Sequence, residues 1–475
     1  MREVTEIEVK KRLAFDNPWW EGGAIDQALR NWPERDYLHT FVSLVTSTSI
    51  NRAILLLGPR RVGKTVMILQ TIQRLINAGT KPSEILYVSV DTPVYFGWRL
   101  DQLLRLFQEL HDHERTKRVY VFFDEIQYHK GWEIHLKSLV DSFPAIRFAA
   151  SGSAAAALRL KSRESGAGRF TDLLLPPLTF AEFTDFRGST ERANPVPSDL
   201  TKLDIDLLNA EFLAYLNFGG FPEAVFSELI QQHLHQHVGA DIIDKVLLKD
   251  LPNLYGIQDT QDLNRLFTTL AYNTGSEISI SDLASRAGIA KNTLSRYIEY
   301  LEAAFLIRRV HRIDENARRF KRASHFKVYL TNPCVRSALF GPIDADDDAM
   351  GRMAETAFVS QLSFAENIHY ARWKNGEVDF VILNSATQTP ERAIEIKWSD
   401  RVRTQRGENR SLRFFMRRHE SLKDAVICTR SYLDEDLIAG RRIYYRPVAF
   451  WCHIAGRHAN YSEAMAAEIR AHAPK

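Results

Sequence analysis

Cysteine is scarce in this chain. Cys334, Cys428 and Cys452 lie far apart in 475 residues, with no ligand-like spacing. That excludes a disulfide framework and a clustered zinc site, and the three read as core thiols. No apolar run of about 18 residues occurs, so no membrane-spanning helix is expected. The opening Met1-Arg2-Glu3-Val4-Thr5-Glu6 is too polar and acidic for a secretory leader, and the expectation is a cytoplasmic chain without a membrane partner. Charge is not one-sided either. Lys and Arg number 62 against 59 Asp and Glu, a net of +3, so attraction to nucleic acid would have to come from clusters and not from the sum. There is no internal repeat. What is present is an ordinary globular mixture, 45% apolar and 25% charged, at a length that asks for roughly three separate cores.

The first chemistry-bearing pattern is Gly58-Pro59-Arg60-Arg61-Val62-Gly63-Lys64-Thr65-Val66. It follows an apolar run of strand length, Arg52 to Leu57, and precedes Ile68, Leu69, Ile72, Leu75 and Ile76 at helical spacing. A glycine-rich loop between a strand and a helix aims main-chain N–H groups and the helix N-terminus at phosphate. Lys64 would reach the β and γ oxygens and Thr65 would hold Mg2+. This predicts ATP as the ligand. A second apolar strand, Arg118 to Phe123, ends in Asp124-Glu125. Asp124 would hold the magnesium ion and Glu125 would polarise the attacking water. A third, Ile146 to Ala150, leads into Ser151-Gly152-Ser153. Ser153 or Ser151 would sense the γ-phosphate, or the serines cap the next helix.

These strings, with Leu175-Pro176-Pro177-Leu178-Thr179-Phe180-Ala181-Glu182-Phe183, resemble bacterial and archaeal AAA-type ATPases that carry a C-terminal domain of unknown function. The resemblance covers most of the chain. It implies an ATP-hydrolysing homo-oligomeric ring in which Arg169, standing where an arginine finger would, completes a neighbour's site. The alternative is an ordinary surface arginine. Tyr215 to Glu223 resembles the Gly-Gly-x-Pro element of related signalling ATPases, which makes Pro222 an adenine contact, or simply a proline that starts a helix. By the same resemblance Arg35 and Tyr37 fall close to adenine, whereas the paired Trp19 and Trp20 are expected to pack on the ATPase or on a neighbour.

Farther on, Ile278 to Ala290 and Lys291 to Leu301 have helix-turn-helix spacing. Leu294, Ile298 and Leu301 face a core, and Lys291, Asn292, Ser295 and Arg296 face out. A basic β wing follows, through Arg308, Arg309 and Arg312, then Arg318 to Arg322, then Lys327 to Leu330. DNA is the expected partner of this winged helix, or else the segment makes interdomain contacts.

The last third holds Glu355 on an amphipathic helix, Asp379 on a strand, and Glu395-Ile396-Lys397 on the next. Residues two apart on a strand share a face, so Glu395 and Lys397 point together and a neighbouring strand brings Asp379 alongside. The order resembles the PD-(D/E)xK restriction-endonuclease-like fold. That resemblance implies a divalent ion on Asp379 and Glu395, supported by Glu355, with Lys397 positioning water at a phosphodiester. An arginine tract from Arg401 to Arg418 would suit nucleic acid or form a solvated helix face.

The expected fold is therefore α/β, in five parts: a lead-in at 1–47, an AAA+ ATPase core at 48–185, a helical lid and linker at 186–260, a winged helix at 261–332 and a nuclease-like domain at 333–475. The alternative to a DNA-cutting machine is a nucleotide-dependent switch that binds a protein or DNA partner without cleaving it.

Overall fold

The computed structural model describes residues 4–48, 51–153, 168–189, 203–319, 325–362, 367–404, 409–438 and 440–457. Residues 320–322 of the basic wing, Arg406 of the arginine tract, and most of the polar segment from Glu191 to Asp204 lie outside them. The chain divides into two compact units, Met1–Pro176 and Pro177–Lys475.

The first unit is a sheet of five strands, all parallel: β1 (Ala53–Leu57), β2 (Ile85–Ser89), β3 (Tyr120–Asp124), β4 (Arg147–Gly152) and β5 (Phe170–Leu174). Spatially they run β2-β3-β4-β1-β5. Strands β1 to β4 are short and almost continuously buried, as a parallel sheet covered on both faces requires. Because β4 sits between β1 and β3, the loops leaving those strands meet at one carboxyl edge, where ligands bind in open α/β sheets. The lead-in is part of this unit. Trp19 and Trp20 both donate their indole N–H to the carbonyl of Ile85, at 3.3 and 2.8 Å, so the tryptophan pair packs on the edge strand β2.

The second unit carries a mixed sheet of nine strands. These are β6 (Glu277–Ser279), β7 (Ile307–Ile313), β8 (His325–Leu330), β9 (Ile368–Trp373), β10 (Gly376–Leu383), β11 (Pro390–Ile396), β12 (Asp424–Thr429), β13 (Asp434–Ile438) and β14 (Arg441–Pro447), in the order β13-β14-β12-β11-β10-β9-β7-β8-β6. Alternate residues feed two cores. Tyr370, Phe380, Ile394 and Ile396 pack with helices Ile205–Phe218, Met350–Gln361 and Val448–Arg457 on one face. Ala371, Val378, Val381 and Ala393 pack with helix Arg410–Arg418 on the other. All three cysteines are buried free thiols.

Helix Ile280–Ala287, Gly288 in the left-handed region (φ 68°), and helix Lys291–Ala303 form the expected helix, turn and helix. Leu294, Ile298 and Leu301 are buried, and Lys291, Asn292 and Arg296 are exposed. The strands behind them differ from a freestanding wing. The parallel pairing of β7 with β9 splices the β6–β8 group into the same sheet as the C-terminal strands.

Candidate functional site

At the carboxyl edge of the first sheet, Gly58 leaves β1 so close to β5's continuation that a Cβ on it would lie 2.1 Å from the Leu175 carbonyl oxygen. Only glycine fits there. The loop then turns through Arg61 (φ 61°) and Gly63 (φ 95°) into helix Lys64–Asn77, whose first N–H groups lack intrahelical partners. Lys64 is buried, and its ammonium donates to the carbonyls of Gly58 (3.1 Å) and Pro59 (2.7 Å). Val62 is buried beneath the loop, Val66 is half-buried in the first helical turn, and Arg60 donates to the Tyr128 hydroxyl at 2.8 Å.

Asp124 ends β3 and is 1% exposed. Three hydroxyls donate to its carboxylate: Thr65 at 2.7 Å, Tyr87 from β2 at 2.9 Å, and Ser151 from β4. The Ser151 oxygen also accepts the main-chain N–H of Glu125 at 3.0 Å. One hydroxyl thus ties together the two acids at the end of β3. Glu125 is held at φ 54°, and its carboxylate accepts from the Gln127 amide, whose oxygen in turn accepts the Ser153 N–H at 3.2 Å. Arg61 and Glu125 are two of six non-glycine residues at positive φ among those described, and backbone strain of this kind gathers at functional sites. Burial, then the charge of Asp124, push the Tyr87 phenol far up, so it stays a neutral donor.

Tyr87 is a part of the site that sequence reasoning missed, and Arg35 has a role beside the loop that the sequence did not show. Nothing in the pattern Ile-Leu-Tyr-Val-Ser marks Tyr87, because its role depends on β2 lying beside β3. Arg35 donates to the carbonyls of Val62 (2.6 Å) and Pro176 (3.0 Å), so it braces the underside of the loop. Arg169, the expected finger, precedes β5 and pairs with Asp141 at 2.5 Å on the surface.

Pro222, expected at adenine, stands in the second unit at the first position of helix Pro222–Phe226. Its neighbouring glycines have a packing reason. A Cβ on Gly219 would strike the Tyr215 ring at 2.0 Å, and one on Gly220 would meet Cys334 Sγ at 2.6 Å. The buried Tyr215 hydroxyl donates to the Leu178 carbonyl (3.0 Å) and accepts from Asn332 (3.1 Å) and Gln361 (2.9 Å).

A second polar centre lies within the second unit. The antiparallel register of β10 and β11 sets Asp379 across from Glu395, as expected, and Lys397 stands 3.2 Å from Glu395 and 3.8 Å from Asp379. The Ile396 N–H donates to Asp379 at 2.9 Å. The expectation of one lysine is incomplete, however. Lys327 on β8, 5% exposed, reaches Glu377 (2.6 Å), Asp379 (3.8 Å) and Glu355 (3.9 Å), and Tyr329 donates to Glu355 at 2.9 Å. Burial, then Asp379, raise Glu355 to about 7, and the same two causes push Glu395 well above the usual carboxylate range. Burial opposes ionisation of Asp379 too, but Lys397 and Lys327 hold it below its ordinary value. Among the described residues no group of three or more His, Cys, Asp or Glu side chains forms a metal-ligand set.

Within the described part of the basic wing, Arg318 and Arg319 are exposed, whereas three arginines of β7 have partners nearby. Arg308 is half-buried and donates to the main-chain carbonyls of Val359 and Leu362, Arg309 pairs with Glu302, and Arg312 lies 3.6 Å from Glu277. Lys327, read as part of that wing, is the buried lysine of the polar centre. Among the described residues no helix is long and apolar enough to cross a membrane.

Comparison with known proteins accords with the first site. Residues 50–184, the stretch that holds the glycine loop and Asp124, match the family described as AAA domain. Residues 209–346 match a domain of unknown function (DUF8612). An uncharacterized protein of Haemophilus influenzae is 26% identical over 331 residues, covering 68% of this chain and 78% of its own length. An uncharacterized protein of Methanocaldococcus jannaschii is 24% identical over 367 residues, covering 74% of this chain and 77% of its own. Two solved structures align at 17% identity: the replication initiator DnaA bound to AMPPCP and single-stranded DNA, over 58% of this chain and 91% of that one with a TM-score of 0.27, and PCH-2 of C. elegans, over 47% and 66% with a TM-score of 0.29.

Proposed function

We propose that this chain binds and hydrolyses ATP in its first unit and uses the turnover to switch what its second unit binds. The carrying observation is the 2.7 Å contact of Thr65 Oγ1 with Asp124 Oδ2 beside Lys64, at the N-terminus of the helix that follows the glycine loop. A hydroxyl and a carboxylate side by side are hard oxygen donors of the kind Mg2+ takes, and that ion asks only one or two ligands of a protein when phosphate and water supply the rest. Thr65 and Asp124 would hold it, and bound there it offsets charge on the phosphate oxygens. The loop amides from Gly58 to Lys64 cradle phosphate. Lys64 exchanges the Gly58 and Pro59 carbonyls for phosphate oxygens. Glu125 takes the proton of the attacking water, and Ser151, joined to both acids, keeps Glu125 in register with Asp124. Arg169, in a ring of identical subunits, would act on a neighbour's γ-phosphate by giving up Asp141.

For the second unit the switch reading is favoured over metal-dependent cleavage, because two ammonium groups stand among Glu355, Asp379 and Glu395. Its DNA-facing candidate is the exposed row Lys291, Asn292 and Arg296.

The test is phosphate release and binding of a fluorescent ATP analogue. Glu125→Gln should lower release by about 10²- to 10⁴-fold while retaining the analogue, and Lys64→Ala should lose both. An unchanged release rate in Glu125→Gln would falsify the catalytic assignment.

A further inference from the structure

Four carboxylates of the second unit, Glu355, Glu377, Asp379 and Glu395, share two lysines that reach them from different directions. Lys397 extends from the end of β11, and its side chain is 41% exposed. Lys327 comes from β8, separated from β11 by three strands in the order β11-β10-β9-β7-β8, and its side chain is 7% exposed. Its Nζ lies within 4 Å of an oxygen of each of Glu355, Glu377 and Asp379 and over the Tyr370 ring at 5.4 Å. An ammonium so enclosed costs several kcal/mol in lost hydration unless carboxylates compensate it. These do.

A divalent ion held among Glu355, Glu377 and Asp379 would need the oxygens that face Lys327, but at about 2.0–2.6 Å from one point. Around Nζ they stand at 2.6, 3.8 and 3.9 Å, which is spacing suited to an ammonium. The two cations are therefore alternatives for one place, and a like charge at that distance repels an arriving ion in a medium of low dielectric. We infer that Lys327 is the resident cation of this carboxylate cluster, occupying the position of a divalent ion and excluding one. The proposal is independent of the nucleotide reading, since all of these residues lie in the second unit.

The experiment uses the full chain in an Asp124→Asn background, which silences the nucleotide site, and titrates Mn2+ alone by the loss of its free-ion EPR signal. The parent should take up no Mn2+ that depends on Asp379. Lys327→Met should gain one Mn2+ at least about tenfold tighter than any parental uptake. Adding Asp379→Asn should remove that gain, and Lys327→Arg, which keeps the charge, should not show it. Should Lys327→Met fail to fold, Lys327→Gln retains a hydrogen-bond donor for Glu377 and gives the same reading. Parental uptake abolished by Asp379→Asn would overturn the inference, and so would folded Lys327→Met or Lys327→Gln that binds no more Mn2+ than the parent. A lysine that merely staples β8 to the sheet predicts lost stability in these variants with no gain of metal.

Discussion

The two polar centres of this molecule solve the burial of acids in opposite ways. In the first unit a single buried carboxylate, Asp124, is surrounded by neutral hydroxyls from Thr65, Tyr87 and Ser151. In the second, four carboxylates are balanced by two ammonium groups. A hydroxyl that donates to a carboxylate still has lone pairs to offer a cation, so the first centre is compatible with a metal ion beside phosphate. An ammonium has none. Its charge already answers the carboxylates, and the second centre carries its cation in the chain itself. Placement matters as much as charge. The first centre sits where loops leave the sheet, whereas the second is built across neighbouring strands, with Lys327 nearly enclosed.

The contrast is broken most sharply at the loop. Gly58→Ala would put a methyl group 2.1 Å from a backbone oxygen, which neither partner can relieve by a rotamer change, so the loop itself must move. Nucleotide affinity should fall by about a hundredfold, equivalent to about 3 kcal/mol, while the second centre and its Mn2+ behaviour stay as they were. Retained affinity would mean that the cradle is not the binding element. A smaller effect separates the two serines. Ser151→Ala removes the hydroxyl joining Asp124 to the Glu125 N–H and leaves a part-buried donor without its acceptor, so phosphate release should slow by about tenfold or more, a loss in the 1–3 kcal/mol range. Ser153→Ala should change it less than about twofold, because Ser153 meets the network through its main-chain N–H. The reverse ranking would return the sensing role to Ser153.

How much of this was legible follows the same divide. The P-loop and the Asp124-Glu125 strand are contiguous strings whose chemistry is local, and the structure brings their ends together as the strings imply. Helix Lys291–Ala303 was legible from its apolar spacing for the same reason. Tyr87 was not, because its value comes from the spatial order β2-β3-β4, which no local pattern encodes. Lys327 looked like a solvated wing residue because the splice of β7 onto β9, which buries it, joins segments about sixty residues apart in the chain. The Gly219-Gly220 pair resembled a nucleotide-contacting element, and tight approach to Tyr215 and Cys334 gives each glycine a packing reason as well.

The gentlest probe of the contrast is pH, and its sign follows from Glu355. Burial and Asp379 raise this carboxyl from the ordinary 4.5 to about 7, so between those values the folded chain holds a proton that the unfolded chain has released. Stability contributed by that proton is complete below the unfolded value and is lost as pH rises through the folded one. For a single group at 7, the loss between about pH 6 and pH 8 is about 1.4 kcal/mol. Glu395, raised by the same causes, adds in the same direction, whereas Asp379, held low by the two lysines, acts only at acid pH and with the opposite sign. Denaturant midpoints of the second unit's transition should therefore fall from about pH 6 to pH 8. Glu355→Gln, which stays neutral throughout and keeps an acceptor for Tyr329, should flatten that slope. A slope unchanged by Glu355→Gln would mean that the proton sits elsewhere, and that four carboxylates and two lysines divide their charge differently from the arrangement around Lys327.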